Sequence, residues 1–223
     1  KSSVAYLQSL GFNVIRMGKD EKSKCEIENV IDYANDFYDE LMDFYLIANC
    51  KFLIGCESGL TLITPFWGKP ILVTNVNVFC YGFESMPTTE YDLYIPKKFY
   101  SMKEKRWLNL YEILEISNKC DRYDNNFAKE GIKLIDNTNE EILKATEEMN
   151  KKLNKTWVQT KQEEEYMEEY WKIMKNWRVR HKTSITRKKN GALGYEMISM
   201  PICFSFLIEH LYLLDIKEQD NGF

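Results

Sequence analysis

The hydrophobic and polar positions of this chain alternate between short apolar runs and longer amphipathic segments. Residues 52–54 form an apolar run with the length and composition of a buried strand. Residues 60–67 predict a short helix that Gly68 ends, and residues 71–74 predict the strand that follows. Strand, turn, helix and strand in this order predict a βαβ crossover within residues 51–75.

The turn between the first strand and this helix carries the candidate chemistry. Gly55 frees the backbone, and Glu57, Ser58 and Gly59 supply a polar turn whose hydroxyl can cap the helix. In a βαβ unit the helix N-terminus lies at the carboxyl edge of the sheet, where its N–H groups and dipole favour an anion. We therefore expect a phosphate-bearing ligand near Ser58 and Gly59. Chain geometry alone also explains these residues, and the turn lacks a complete dinucleotide or P-loop fingerprint.

The predicted helices and strands in the rest of the first 135 residues alternate in the order typical of a doubly wound α/β domain. The predicted elements are a helix at 2–10, strands at 12–15 and 27–33, a helix at 39–49, a strand at 91–95 and a helix at 107–116. The apolar face of the helix at 39–49 carries Leu41, Phe44, Tyr45 and Ala48. Residues 76–89 are loop-like, and residues 120–133 are polar and predicted to be irregular.

Two predicted strand ends carry charged side chains. Arg16 and Gly18 follow the strand at 12–15, and Asp32 ends the strand at 27–33. A cation at the carboxyl end of a strand can reach the edge of the sheet where ligands bind. The alternative is that Arg16 pairs with a nearby carboxylate.

Residues 136–223 change in character and predict a helical region that packs on the α/β domain. Thr138 and Glu141 form a capping box, as do Thr160 and Glu163, and each opens an amphipathic helix. The apolar faces carry Ile142, Ala145, Met149 and Leu153 in the first helix, and Tyr166, Met167, Tyr170, Trp171, Met174 and Trp177 in the second. A last helix is predicted at 195–214.

A basic patch at residues 178–189 has two interpretations. Its cations are Arg178, Arg180, Lys182, Arg187, Lys188 and Lys189. They fit a peripheral contact with phosphates or a lipid membrane surface. The alternative, which such charge runs more commonly represent, is a solvated connector between two helices.

Composition narrows the class of protein. The formal net charge of −4 gives no general attraction to nucleic acid. Six cysteines without a C-x-x-C pair and only two histidines argue against a structural zinc site and a disulfide framework, and predict reduced thiols in a cytoplasmic protein. The longest apolar run, 202–214, is too short and too polar for a membrane span. The chain opens on a helix without a preceding strand, so we expect it to be part of a longer protein.

Several stretches, taken in order, resemble a known family. They are Tyr6-Leu7, residues 11–18 (GFNVIRMG), 31–34 (IDYA), 43–52 (DFYLIANCKF), Ser58-Gly59, Lys69-Pro70, Asn75, 95–98 (IPKK), 138–149, 193–195 (LGY) and Phe206-Leu207. This set is similar to bacterial glycosyltransferases that have a GT-B-type nucleotide-sugar-binding domain. The resemblance spans most of the chain and implies that it corresponds to the carboxy-terminal half of such an enzyme.

The resemblance implies a Rossmann-like, GT-B-type fold and specific roles for the strand-end residues. The donor diphosphate would lie at the backbone N–H groups of Ser58, Gly59 and Leu60, with Arg16 and Gly18 close by. Such enzymes transfer a sugar from a nucleotide sugar to a glycan acceptor, for example a surface polysaccharide, without a metal or another cofactor.

Three further polar residues are candidates for contacts with donor hydroxyls, namely Glu57, Asp32 and Asn75. The catalytic base is expected in the preceding half of the protein, so none is assigned here. Two alternatives remain open. One is a non-catalytic sugar- or nucleotide-binding module, and the other is an α/β domain that presents its helical tail to a protein partner.

Overall fold

The computed structural model describes residues 1–19, 23–77, 89–120, 124–181 and 200–215. The strands are β1 (Val14–Ile15), β2 (Val30–Ile31), β3 (Leu53–Gly55), β4 (Ile71–Val76), β5 (Leu93–Pro96), β6 (Lys98–Ser101), β7 (Arg106–Trp107) and β8 (Ile132–Ile135). The helices are α1 (Ser2–Ser9), α2 (Tyr33–Asp36), α3 (Glu40–Asn49), α4 (Gly59–Ile63), α5 (Leu110–Lys119), α6 (Asp124–Lys129), α7 (Asn139–Leu153), α8 (Lys161–His181) and α9 (Phe204–Leu207).

Parallel pairing defines the first two sheets and confirms the expected α/β class. Strands β3, β4 and β5 form a parallel sheet in that order, with Ile54 opposite Leu72 and Val73 opposite Tyr94. Strands β1 and β2 pair in parallel as a separate two-stranded sheet. The rings of Phe12 and Phe52, which precede β1 and β3, meet edge to face at 6.1 Å, so the two sheets approach each other at the amino ends of these strands.

The predicted βαβ crossover is present as β3, α4 and β4. Ser58 is the N-cap of α4, which passes directly into a 3₁₀ turn over Thr64–Trp67. Gly68 ends this turn in the left-handed region at a φ of 62°, a conformation that favours glycine. Ser58 therefore caps the helix and Gly68 ends the turn that follows it, as predicted.

A third sheet, antiparallel with the order β7–β6–β8, was not predicted. Residues 120–133 were expected to be irregular, and this prediction is wrong for the described part, which contains α6 and the start of β8. The helix expected at 107–116 begins only at Leu110, because Trp107 belongs to β7 and Asn109 caps α5. Pairing with β6 overrides the weak local pattern of these residues.

Helix α3 exposes most of the face that the sequence predicts to be apolar. Asp39 caps it through hydrogen bonds from the amides of Leu41 and Met42. Leu41 is 79% exposed and Tyr45 62% exposed, whereas Ile47 is fully buried. The face that the sequence pattern marks as apolar is therefore largely open to solvent.

Both predicted helices of the C-terminal region are present, and α7 opens with the complete capping box of Thr138 and Glu141. At the start of α8 the Thr160 hydroxyl accepts from the Glu163 amide, while the Glu163 carboxylate accepts from the Trp157 indole. In α7 the side chains of Ala145 and Met149 are fully buried, and in α8 those of Tyr170, Met174 and Trp177 are buried. The last predicted helix, at 195–214, is wrong where it can be compared. Residues 195–199 lie outside the described residues, and the remainder holds only α9 and a 3₁₀ turn over Leu211–Leu214.

The segment before α9 joins the parallel sheet instead of forming a helix. Ile202 bridges to Tyr94 in parallel, with the Cys203 amide donating to the Tyr94 carbonyl at 2.9 Å. The carboxylate of Glu148, buried in α7, accepts hydrogen bonds from the amides of Phe204 and Ser205 at the start of α9. These tertiary bonds decide the path of the segment.

One hydrophobic core runs across the predicted domain boundary between residues 135 and 136. It includes Leu93 from β5, Met149 from α7 and Trp177 from α8. The boundary itself stays a prediction, but the helical region and the parallel sheet share the same buried side chains.

Gly55→Ala should destabilise the protein. A Cβ atom at Gly55 would lie 2.6 Å from the Thr61 Oγ1 atom and 3.1 Å from the Leu53 Cδ2 atom. We expect the free energy of unfolding, measured in urea, to fall by about 1–3 kcal/mol because a tightly packed site is overfilled.

Gly59→Ala is the matched control, since a Cβ atom there meets nothing within 4 Å. Its free energy of unfolding should stay within about 0.5 kcal/mol of the wild type. Equal losses in the two variants would show that the close approach at Gly55 does not constrain the turn.

Candidate functional site

The turn after β3 is held by hydroxyl groups. The Thr61 hydroxyl is buried and donates to the Cys56 carbonyl at 2.7 Å, so the Ser58 hydroxyl donates to Thr61 Oγ1 at 3.1 Å. The Ser58 oxygen in turn accepts a long hydrogen bond from the Thr61 amide at 3.5 Å. The conformation of the turn is therefore set without a ligand.

The amide side of this turn faces solvent. Residues 56–59 are exposed, and no atom lies within 4 Å of a Cβ atom built on Gly59. The amides of Gly59 and Leu60 are among those that helix geometry leaves without an intrahelical acceptor. The turn thus combines donor groups with open space at the carboxyl end of β3, which is what an anion would need.

Glu57 connects two strand ends. Its Oε2 atom accepts a hydrogen bond from the Asn77 amide at 3.0 Å, immediately after β4. This bond gives Glu57 a structural role beside the turn. Its predicted contact with a donor hydroxyl stays a prediction.

Arg16 and Asp32 lie together at the carboxyl ends of β1 and β2. The Arg16 Nη1 atom donates to the Ser23 carbonyl at 2.9 Å and lies 3.3 Å from Asp32 Oδ1. Asp32 is buried and also accepts from the Cys25 amide at 2.7 Å and from the Asn35 side-chain amide at 2.9 Å. The pairing that was the alternative for Arg16 is therefore present, and it orients the guanidinium.

Gly18 and Asn75 complete the predicted set. Gly18 lies in the bend after β1, with no atom within 4 Å of a Cβ position. Asn75 lies in β4 at a φ of 55° and forms a reciprocal pair with Asn137, each side-chain oxygen accepting from the other residue's amide at 2.6 and 2.7 Å. The Asn137 side-chain amide also donates to the Pro96 carbonyl at 2.7 Å. Asn75 thus joins the ends of β4 and β5 to the start of α7.

A second cluster of polar side chains, which the sequence does not predict, lies at the end of β5. The Glu141 Oε1 atom accepts from Lys98 Nζ at 2.6 Å and from His210 Nε2 at 2.8 Å. Its Oε2 atom accepts from the Thr138 amide at 2.7 Å, which completes the capping box of α7. The side chain of Glu141 is only 7% exposed, that of Lys98 11% and that of His210 15%.

Electrostatics keep Glu141 ionised. Burial alone would raise the pKa of Glu141, but hydrogen bonds from His210, Lys98 and the Thr138 amide outweigh burial and lower the pKa to about 2. The neighbouring Tyr212 hydroxyl has a raised pKa because it is buried and lies close to the Glu141 charge. The ionised carboxylate of Glu141 therefore lies between the Lys98 ammonium group, the His210 imidazole and the Tyr212 phenol.

Sequence reasoning missed this cluster because its members lie far apart in the chain. Lys98 and His210 are 43 and 69 positions from Glu141. The local pattern indicates only a capping role for Glu141, and His210 lies within an apolar run that predicts a buried helix. The available signals were the scarcity of histidine and a lysine pair directly after a strand that ends in proline.

Three other predictions concern metal sites, membrane spans and the basic patch. These residues hold no group of three histidine, cysteine or acidic side chains suited to a metal ion. Among the helices described, none has the length and apolar character needed to cross a bilayer. Most of the basic patch at 178–189 lies outside the described residues, and Arg180 donates to the Tyr111 hydroxyl and stacks on its ring.

No protein-family model, no curated protein and no solved structure matches this chain. The resemblance to glycosyltransferases therefore stays a prediction from the sequence stretches given above.

Glu141→Gln should change how stability depends on pH. The pKa of Glu141 falls from 4.5 to about 2 on folding, so its charge stabilises the protein above pH 4.5, and this contribution is lost as the pH drops towards 2. At about 1.4 kcal/mol per pKa unit, the loss is about 3.5 kcal/mol at most. Urea unfolding between pH 2 and 7 should show a flatter profile in the variant.

The matched control is Glu140→Gln, one residue earlier in the same helix, where the side chain is 75% exposed. Its pH profile should follow the wild type. If Glu141→Gln does so as well, the carboxylate is not stabilised by Lys98 and His210 as the distances indicate.

Proposed function

We propose that this chain is the donor-binding portion of a cytoplasmic glycosyltransferase with a Rossmann-like, GT-B-type fold. It would transfer a sugar from a nucleotide-diphosphate sugar to a glycan acceptor, without a metal. The observation that carries the proposal is the exposed turn at Ser58–Gly59, which opens α4 at the carboxyl edge of the parallel sheet. Ligands bind at this edge in open α/β sheets.

The amides of Gly59 and Leu60 are the groups that would stabilise the leaving diphosphate. They are fixed before a ligand arrives, because the Ser58 and Thr61 hydroxyls hold the turn. Preorganised donors aimed at a developing negative charge are among the strongest contributions to catalysis. The empty space at Gly59 would let a phosphate oxygen approach the backbone.

Side chains around the turn would orient the donor. Arg16 would contribute positive charge from the end of β1, where Asp32 holds its guanidinium. Glu57 and Asn75 would contact donor hydroxyls from the ends of β3 and β4. Each is anchored by a backbone hydrogen bond, which limits its motion.

A protein-interaction domain is the second candidate, and exposed apolar side chains favour it. Leu41 and Tyr45 on α3 are largely exposed, as are Phe66 and Trp67 in the 3₁₀ turn that α3 packs against. Clustered apolar side chains on a surface commonly mark contact sites. If Leu41→Asp removed a concentration-dependent rise in sedimentation coefficient, and no nucleotide sugar bound, this candidate would be supported.

Gly59→Trp should abolish binding of the donor. The indole would fill the space next to the amides of Gly59 and Leu60, so the diphosphate could not reach them. We expect UDP-, GDP- or CMP-sugars, screened by thermal shift, to raise the melting temperature of the wild type but not of this variant.

Lys129→Trp is the control, because it places the same side chain on an exposed position of α6. It should keep the donor-induced shift. A shift that survives in Gly59→Trp would remove the turn from the site, and the absence of any shift across the panel would contradict the proposed function.

A further inference from the structure

Glycosyl transfer needs a group that accepts the proton of the acceptor hydroxyl, and the turn at Ser58–Gly59 supplies none. Backbone amides only donate hydrogen bonds, the Ser58 hydroxyl is already engaged with Thr61, and the Glu57 carboxylate is already held by the Asn77 amide. A general base is a side chain such as histidine or a carboxylate within reach of the reacting hydroxyl. The second polar cluster contains both kinds of group.

We infer that His210 is the proton acceptor of the transfer reaction, positioned by Glu141 and Lys98. The inference depends on the proposed function, since it assigns a role within the same reaction. The imidazole Nε2 atom lies 2.8 Å from Glu141 Oε1, and Glu141 is fixed in turn by Lys98 and the Thr138 amide. A nucleophile or base that is oriented by a second, anchored group is a recurring arrangement in catalysis.

The hydrogen bonds define which nitrogen is basic. Glu141 is ionised and can only accept, so the proton of the neutral imidazole must be on Nε2. The lone pair is therefore on Nδ1, and no protein partner of that atom is found within the residues that the structure describes. Nδ1 is the atom that would take the proton.

Aromatic rings on both sides restrict the imidazole. The Phe206 ring centroid lies 4.3 Å from that of His210, and the Tyr212 ring meets it edge to face at 5.7 Å. Beyond Tyr212 lies the half-exposed Trp107, stacked on it at 5.9 Å. The ring cannot turn freely, so Nδ1 keeps one direction.

The charges around His210 come from several elements. Lys98 belongs to β6, Glu141 and Lys144 to α7, and Glu209 precedes His210 in the chain. Lys144 pairs with Glu209 and with Glu140 at the surface. A protonated imidazole would thus form an ion pair with Glu141. Because Lys98 also pairs with this carboxylate, part of its negative charge is already compensated, and the attraction for the protonated imidazole is weaker.

The cluster and the turn share one edge of the molecule. Lys98 follows the carboxyl end of β5 by two residues, and Asn137 ties the start of α7 to Pro96 and Asn75. Adjacent strands lie about 4.8 Å apart, so β3 and β5 lie about 10 Å apart across the sheet. Gly55 at the end of β3 is level with Val73 and Tyr94, so β5 extends beyond it in the direction of Lys98. A donor whose diphosphate lies at the turn can extend along this edge towards His210.

The proposed step balances in protons and electrons. The acceptor oxygen forms a bond to the anomeric carbon as its proton passes to His210 Nδ1. The bond between the anomeric carbon and the diphosphate oxygen breaks, and the diphosphate leaves with the electron pair. His210 then returns the proton to solvent.

The tautomer can be tested directly, because the chain has only two histidines. Nitrogen-15 spectra of the imidazoles at pH 8, assigned with His181→Gln, should show His210 protonated on Nε2 and not on Nδ1. Glu141→Gln should abolish this preference. A wild-type His210 that is a mixture of tautomers would overturn the positioning by Glu141.

The catalytic role can be tested with water as the acceptor, since donor hydrolysis uses the same base. His210→Gln should reduce kcat for release of the nucleotide diphosphate by about 100-fold and remove the acidic limb of the pH profile, with donor-induced thermal shift unchanged. Imidazole added to His210→Ala should restore part of the rate. His181→Gln should behave as the wild type.

The outcomes separate this inference from the proposed function. Wild-type hydrolysis by a folded His210→Gln would overturn the inference and leave donor binding intact. If a nucleotide sugar raises the melting temperature of the wild type but the wild type does not hydrolyse it, the inference about His210 is also overturned and donor binding stands. If no nucleotide sugar binds, both fail.

Discussion

The hydrogen bond between Tyr94 and Tyr170 is the contact on which the organisation of this protein depends. Both side chains are fully buried, and their hydroxyls lie 2.6 Å apart. A buried phenol without a partner would cost a large part of the stability of a small domain, so β5 and α8 must stay in one relative position. The backbone of Tyr94 also pairs with β4 on one side and with Ile202 on the other. Sheet, helix and C-terminal segment therefore meet at one residue.

Local signals explain which parts of the fold could be predicted from the sequence. Ser58 and Thr138 cap helices because their hydroxyls bond amides three residues away, which needs no distant partner. The antiparallel sheet could not be predicted, since Lys98 pairs with Ile135 across intervening helices and its residues lack a strong alternation. The segment after Met200 is apolar enough for a helix, but hydrogen bonds to Tyr94 and Glu148 determine its path.

The candidate site shows the same division between local and tertiary causes. The position of the turn at Ser58–Gly59 followed from glycine and serine placement, and the structure has the turn at the end of β3. The partner of Asn75 could not be foreseen, because Asn137 lies 62 positions away. Nor could the environment of Glu141, whose low pKa arises from a lysine and a histidine that only the folded chain brings together. Roles that depend on residues nearby in the chain could thus be predicted from the sequence. Roles that depend on residues distant in the chain required the structure.

The bridge between Ile202 and Tyr94 has a consequence for biosynthesis. Strand β5 leaves the ribosome roughly a hundred residues before the segment that covers its free edge, which takes on the order of 5–20 s at typical elongation rates. During that interval the edge presents unpaired backbone groups beside a fully buried apolar strand. The nascent chain is therefore prone to wrong pairing between the synthesis of β5 and that of the segment at Ile202, which closes the edge of a sheet already formed.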